Sequence, residues 1–315
     1  HSHHRGLFSF LPRDSKAAHR ERYEREFDIV TTDEIEIPTA DKVLLLVSRN
    51  LNNRDSLPGH VYRQLLEKLK ERAASRGSIE EILKAMPQST EENVDHSSER
   101  SLTDLIRARR HDAHAVIKHV TATLLEVRPG FAASAAITEY TATAVEALVF
   151  GEIYDLVMEE IEAELNDKDN KLLVKVAAFE EKQAQGESGH ENYEAATSEE
   201  AIHALHQLPE AHSPVDKLRY CVQFLEKISD YFSAEQSSKQ AAMGADSLLK
   251  LVCQHILVAK VHRIHAQIAF LDEFARDEHL LRGKEGYALV TLQASLHFLD
   301  ASSDFTADIF EQDDD

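Results

Sequence analysis

Apolar side chains recur at spacings of three and four along most of this chain of 315 residues, with charges between them. That period belongs to helices that bury one face. Asp33 to Pro38 alternates polar and apolar and reads as an extended lead-in. Thr39 is placed to cap a helix carried by Val43, Leu44, Leu46, Val47 and Leu51. A second helix follows Pro58, with Val61, Leu65, Leu66 and Leu69, and Gly77 ends it. Ser78 restarts a short helix that stops at Met86-Pro87. Gln88 to Glu99 is polar, acidic and without period, which predicts a linker or disordered loop. Ser101 is the expected N-cap of the next helix, which runs through Leu105, Ile106, Val116, Val120 and Leu124 to Val127, where Pro129-Gly130 closes it. Val145, Leu148, Val149, Ile153, Tyr154, Val157 and Ile161 mark another helix. An acidic stretch from Glu162 to Asp169, with a turn at Asn166-Asp167, is expected to separate it from a helix of Leu172, Leu173, Val176 and Phe179.

Gln183 to Thr197 reads as a mobile loop. Ser198 starts a helix of Ile202, Leu205 and Leu208 that Pro209 ends. Pro214 opens a long helix with Leu218, Val222, Leu225 and Ile228, followed by a polar connection from Phe232 to Ala242. The densest pattern lies between Met243 and Ala301. Three helices are predicted there, joined by two short connections, with Gly283 and Gly286 breaking the period. Asp246 and Tyr287 sit at the joints. A carboxylate at a helix N-cap is held by backbone N–H groups and by the positive end of the helix dipole. Taken singly, Asp246 reads as a cap and Tyr287 as an amphipathic core tyrosine.

The chain has 10 glycines and 7 prolines among plentiful Ala, Glu and Leu, with 43% apolar residues. This composition predicts an all-α fold, a helical bundle with short connections. The expected organisation is a lead-in over residues 1–38, partly tag (His1-Ser2-His3-His4) or disordered. N-terminal helices and a polar linker follow over 39–99, a bundle leading into the core over 100–182, the core over 198–302, and an acidic tail over 303–315. The net charge of −21 argues against binding nucleic-acid backbones through bulk electrostatics and against an overall basic membrane-binding surface. The longest apolar run, Val43 to Val47, is far too short to span a bilayer. No direct membrane insertion and no signal peptide are expected. A positive arm at Arg5 to Arg25 and a basic patch at Arg107, Arg109, Arg110 and His111 read as solvated surfaces. Cys221 and Cys253 are expected as buried free thiols of a reducing compartment. His262 with His265 and His203 with His206 stand at i, i+3, but neither pair has a third ligand in frame, so no metal and no cofactor are expected. Phosphate loops, dinucleotide fingerprints and nucleophile elbows are absent from the sequence.

The segments Gly244–Leu249, Leu280–Tyr287 and Leu292–Leu299, with Pro214-Val215-Asp216-Lys217-Leu218 upstream, resemble the Vps nine (vacuolar protein sorting nine) domain. The resemblance covers roughly Ser134 to Ala301, including paired helices from Val145 to Phe179. It implies a layered helical core that serves as a guanine nucleotide exchange factor for a Rab GTPase of the early-endosome class. Such a protein performs no covalent chemistry and works in the cytoplasm, peripherally recruited to endosomes. By the same resemblance Asp246 is an acidic finger and Tyr287 contacts the first switch of the GTPase. Gly244, Ala245, Leu248, Leu249, Val252, Gly286, Val290 and Thr291 are the implied partner surface. Several positions depart from the family pattern. Lys250 stands for its Pro, Lys260-Val261-His262 for its Asn-Pro-Pro turn, Lys284 for its Glu and Val290 for its Thr. These departures leave open a second reading, a scaffold that binds a GTPase of endosomal trafficking without exchanging its nucleotide.

Overall fold

The computed structural model describes residues 39–75, 94–185, 197–235, 245–275 and 278–302. The expected lead-in, the helix after Ser78, most of the polar loop before Thr197 and the acidic tail lie outside the described residues. Among the described residues the chain is all-α, as its composition predicts. No described helix is long and apolar enough to cross a membrane.

The chain divides into two compact units, His1–Asp155 and Leu156–Asp315. The first contains α1 (Ala40–Asn52), α2 (Leu57–Ser75), α3 (Val94–Val127), a 3-10 turn (Pro129–Ala132) and the beginning of α4 (Ala135–Gln185). Thr39 caps α1 as expected, its Oγ1 accepting from the Lys42 N–H at 3.3 Å. Val43, Val47, Leu51, Val61, Leu66 and Leu69 are buried, so the three-and-four period does mark the inner faces of α1 and α2. Helix α3 starts at Val94, not at Ser101, so part of the expected linker is helical. Its first turns have no apolar period to announce them. Arg109 departs from the solvated patch: it is 1% exposed, and its guanidinium pairs with Asp112 at 3.3 Å. Arg72 of α2 holds the other Asp112 oxygen at 2.7 Å.

The expected turn at Asn166-Asp167 does not exist, because α4 is one helix of 51 residues. Between Gly151 and Gln185 it contains no glycine or proline to interrupt it. The inner face continues through the acidic stretch as Ile161, Asp169, Leu172, Val176 and Phe179, all buried. Asp169 occupies a core position of this period.

The second unit holds the rest of α4, then α5 (Glu199–His206), α6 (Pro214–Glu235), α7 (Ala245–Ala259), α8 (Ile264–Phe274), α9 (Glu278–Leu281) and α10 (Lys284–Ala301). Helix α10 packs on α6, α7 and α8, and α5 packs on α6 and α7. Leu218, Phe224, Val252, Ile256, Phe270 and Leu292 form the apolar centre. Cys221 and Cys253 are free and buried within it, and burial pushes both thiols up to about 12. Helix α4 is tied to this unit by side chains at four levels. Glu162 pairs with Arg263 at 3.0 Å and Glu180 pairs with Lys260. Asp169 meets His265, and Lys175 donates to the carbonyls of Leu299 and Asp300 at the end of α10.

Candidate functional site

Helix α7 begins at Ala245, which makes Asp246 its second residue and not its N-cap. Gly244 lies outside the described residues. The first turn remains the positive end of the helix dipole, where backbone N–H groups lack intrahelical acceptors. Leu248 and Leu249 follow half-buried. Val252 is 0% exposed, so it belongs to the core and not to a partner surface. One turn farther from the helix start, the inward-facing side is already covered by α10.

The start of α10 is shaped by a glycine. A Cβ on Gly286 would stand 1.7 Å from the carbonyl oxygen of Leu281, so only glycine lets α9 close over the first turn of α10. Gly283 is the N-cap, without a side-chain cap bond, and its carbonyl accepts from the Tyr287 N–H at 3.2 Å. Tyr287 is 59% exposed and Val290, one turn on, is 61% exposed. The core alternative for Tyr287 is thereby corrected: its side of α10 faces outward, while Gly286, Ala288 and Leu289 face in. Thr291 Oγ1 donates to the Tyr287 carbonyl at 2.7 Å and is spent on its own helix.

Leu248 and Tyr287 line one groove of about 360 Å³. Val222 and Leu225 of α6, with Leu248 and Ala288, supply its apolar surface. Glu226 and Asp230 of α6 and Lys284 of α10 supply its charges. Lys284 Nζ lies 3.8 Å from Glu226. The structure therefore brings the opening turns of α7 and α10 to the same groove, as the sequence placed them at joints. It adds α6, none of whose residues belongs to the partner surface implied by the sequence. The available signal was the i, i+3, i+4 set of Val222, Leu225 and Glu226, where an apolar face meets a charge at its border.

The surroundings explain two other motifs. Lys217 is wholly buried. Its ammonium donates to the Leu208 carbonyl and to Gln267 Oε1, and it lies 5.3 Å from the centre of the Phe270 ring. Burial pulls its pKa down to about 7. This lysine ties the end of α5 to α6 and α8. The turn that replaces Asn-Pro-Pro places Lys260 and Arg263 in the left-handed region, with φ of 50° and 52°. Their ion pairs with Glu180 and Glu162 help to hold that unfavourable backbone.

The two histidine pairs do not form joint sites. His262 is exposed, whereas His265 is buried between Asp169 and Asp300. His206 meets the Ala259 carbonyl at 2.5 Å, and His203 is exposed in a separate groove of about 480 Å³ with Glu199, Glu200 and Lys227. No group of three His, Cys, Asp or Glu side chains among the described residues is placed to hold a metal.

A shallow groove with an apolar floor, a mixed-charge lip and an exposed aromatic suits a protein segment better than a small reactant. Residues 198–303 match the family model of the Vacuolar sorting protein 9 (VPS9) domain, and among curated proteins none matches the chain. The matched span opens at the cap of α5 and contains the whole groove. Residues 198–303 are thus similar to the VPS9 domain, and that domain in general exchanges guanine nucleotides on Rab GTPases without covalent chemistry.

Proposed function

We propose that this chain accelerates GDP release from a Rab GTPase of the early-endosome class, with Asp246 as an acidic finger and Tyr287 as the contact to the first switch. The observation that carries this reading is the single groove lined by Leu248, two residues beyond Asp246, and by Tyr287. A small GTPase grips GDP through its phosphate loop, the loop lysine and Mg²⁺. A carboxylate presented from a rigid helix start repels the phosphates, pairs with that lysine and competes for the metal's space. Tyr287 and Val290 give the opened switch an apolar resting place, with Leu248 beside them. The nucleotide-free partner is stabilised, and GTP refills it by mass action. The protein acts in the cytoplasm and is recruited peripherally to endosomes.

A second reading, a scaffold that binds the GTPase without exchange, draws on Lys250, the Lys260–His262 turn and Val290. Release of fluorescent GDP from a panel of endosomal Rab proteins separates the two. Acceleration on at least one member is the expected result. Complex formation with GDP retained at its intrinsic rate on every member supports the scaffold instead.

A further inference from the structure

Helix α3 carries a second surface, outside the VPS9 domain and in the first unit. Arg107, His111, His114 and Lys118 follow one another at spacings of four, three and four, and all four are exposed. At 100° per residue these positions fall on one narrow stripe. Ile106, Arg109, Ala113, Val116, Val120 and Leu124 are buried and cluster on the opposite side of the same helix. The stripe therefore points away from α2, which packs on α3. It is about 16 Å long at 1.5 Å per residue.

The charge around the stripe is sorted. The protein carries 56 acidic against 35 basic residues, and several of its cations elsewhere take carboxylate partners. Arg72, Lys70, Lys227, Arg263 and Lys260 all do so. No ion pair to Arg107 or Lys118 is formed among the described residues. The one acid between them on α3, Asp112, sits on the inner flank and is neutralised by Arg109 and Arg72. Asp104 lies one turn before the stripe, and Arg110 flanks it half-buried. On α2, which packs on α3, Lys68, Glu71 and Glu67 are exposed. Two cations of fixed charge thus bracket two imidazoles, which can donate to phosphate oxygens. No large apolar side chain is exposed within the stripe, only Ala115, so the surface can rest on headgroups and has nothing to insert.

We infer that this face of α3 docks on the anionic headgroups of a phospholipid membrane. A membrane fits better than an acidic peptide because the stripe runs along the outer face of a single helix, a convex surface. The overall charge of −21 opposes approach, but beyond roughly 8 Å that repulsion is screened at physiological salt, while contacts at the headgroups are not. The inference does not depend on the exchange reading, since neither nucleotide nor GTPase takes part.

Co-sedimentation of the full chain with vesicles of phosphatidylcholine, with or without phosphatidylserine, tests it. Selective capture by the anionic vesicles, released by raised salt, is expected. Neutralising a basic residue near such a surface lowers partitioning roughly fivefold, so Arg107→Gln with Lys118→Gln should lower it roughly 25-fold. Asp104→Asn should raise it, which guards against a general loss of folding in the double variant. Equal capture by both vesicle types overturns the inference. So does capture of the double variant at the parental level, or capture of an acidic peptide by the parent without capture of vesicles.

Discussion

At the scale of single residues, a buried polar constellation lies at the end of α10 away from the groove. Asp169 accepts from the His265 N–H at 2.9 Å and from the Ala266 N–H at 3.4 Å. It supplies the cap that Arg263, at the start of α8, lacks. His265 Nδ1 lies 3.1 Å from Asp169, and Nε2 lies 3.0 Å from both Asp300 oxygens. Burial disfavours the charged ring, yet the two carboxylates outweigh it and hold its pKa above the ordinary value. A raised folded pKa gives stability that is full below the unfolded value of about 6.5 and fades as pH rises through the folded value. His265→Gln should therefore lose most relative to the parent near pH 5.5 and least under alkaline conditions, measured by urea unfolding at both. Asp169→Ala should cost about 2–3 kcal/mol, because it strips a buried cap and a charge partner together. His255 has the opposite sense. Its Nε2 accepts from the Ser198 N–H at 3.0 Å, and its Nδ1 meets the Leu251 carbonyl at 2.6 Å. Burial lowers its pKa, so its contribution is lost as pH falls. At the groove, Asp246→Asn should keep the fold and binding but reduce GDP release on the order of tenfold to a hundredfold, the worth of one charge-assisted contact. Tyr287→Ala should weaken complex formation as well, visible in pull-down beside the release assay.

At the scale of elements, helices with one buried stripe were legible and polar ones were not. Thr39, Ser198 and Pro214 start α1, α5 and α6 where the periodicity put them. The beginning of α3 was hidden because a helix start without an apolar period resembles a linker. The middle of α4 is hidden in the sequence because Asn, Asp and Glu imitate a turn, while a buried carboxylate, Asp169, looks like one more surface charge. Continuity of α4 has a direct consequence: Asp167→Pro should destabilise the protein by about 3 kcal/mol or more, whereas a surface turn would accept it. Thermal or urea unfolding distinguishes the two. The joints at Asp246 and Tyr287 were legible because glycines and interrupted periods flag them. The share of α6 in the groove was not, since a lining residue and a core residue look alike until the neighbouring helix is in place. The burial of Val252 is hidden for the same reason.

At the scale of the whole molecule, charge dominates. A net charge of −21 on 315 residues stores self-repulsion that salt relieves. The melting temperature should rise by a few degrees between low and physiological ionic strength, despite the exposed ion pairs, whose individual worth is small. A flat or falling melting temperature in scanning calorimetry would show that paired charges outweigh the excess. The all-α class followed from composition, and the likeness to the VPS9 domain from the frame between Asp246 and Tyr287.

The ties between α4 and the second unit have a mechanical meaning. Glu180 and Glu162 hold the turn just past the end of α7, and Lys175 holds the last carbonyls of α10. Both helices are thus clamped at their far ends, while their opening turns border the groove. About 22 Å of packed helix separates the anchored turn past α7 from its opening turn at the groove. The mouth of the groove is therefore seated from a distance, by contacts that a docked partner does not touch.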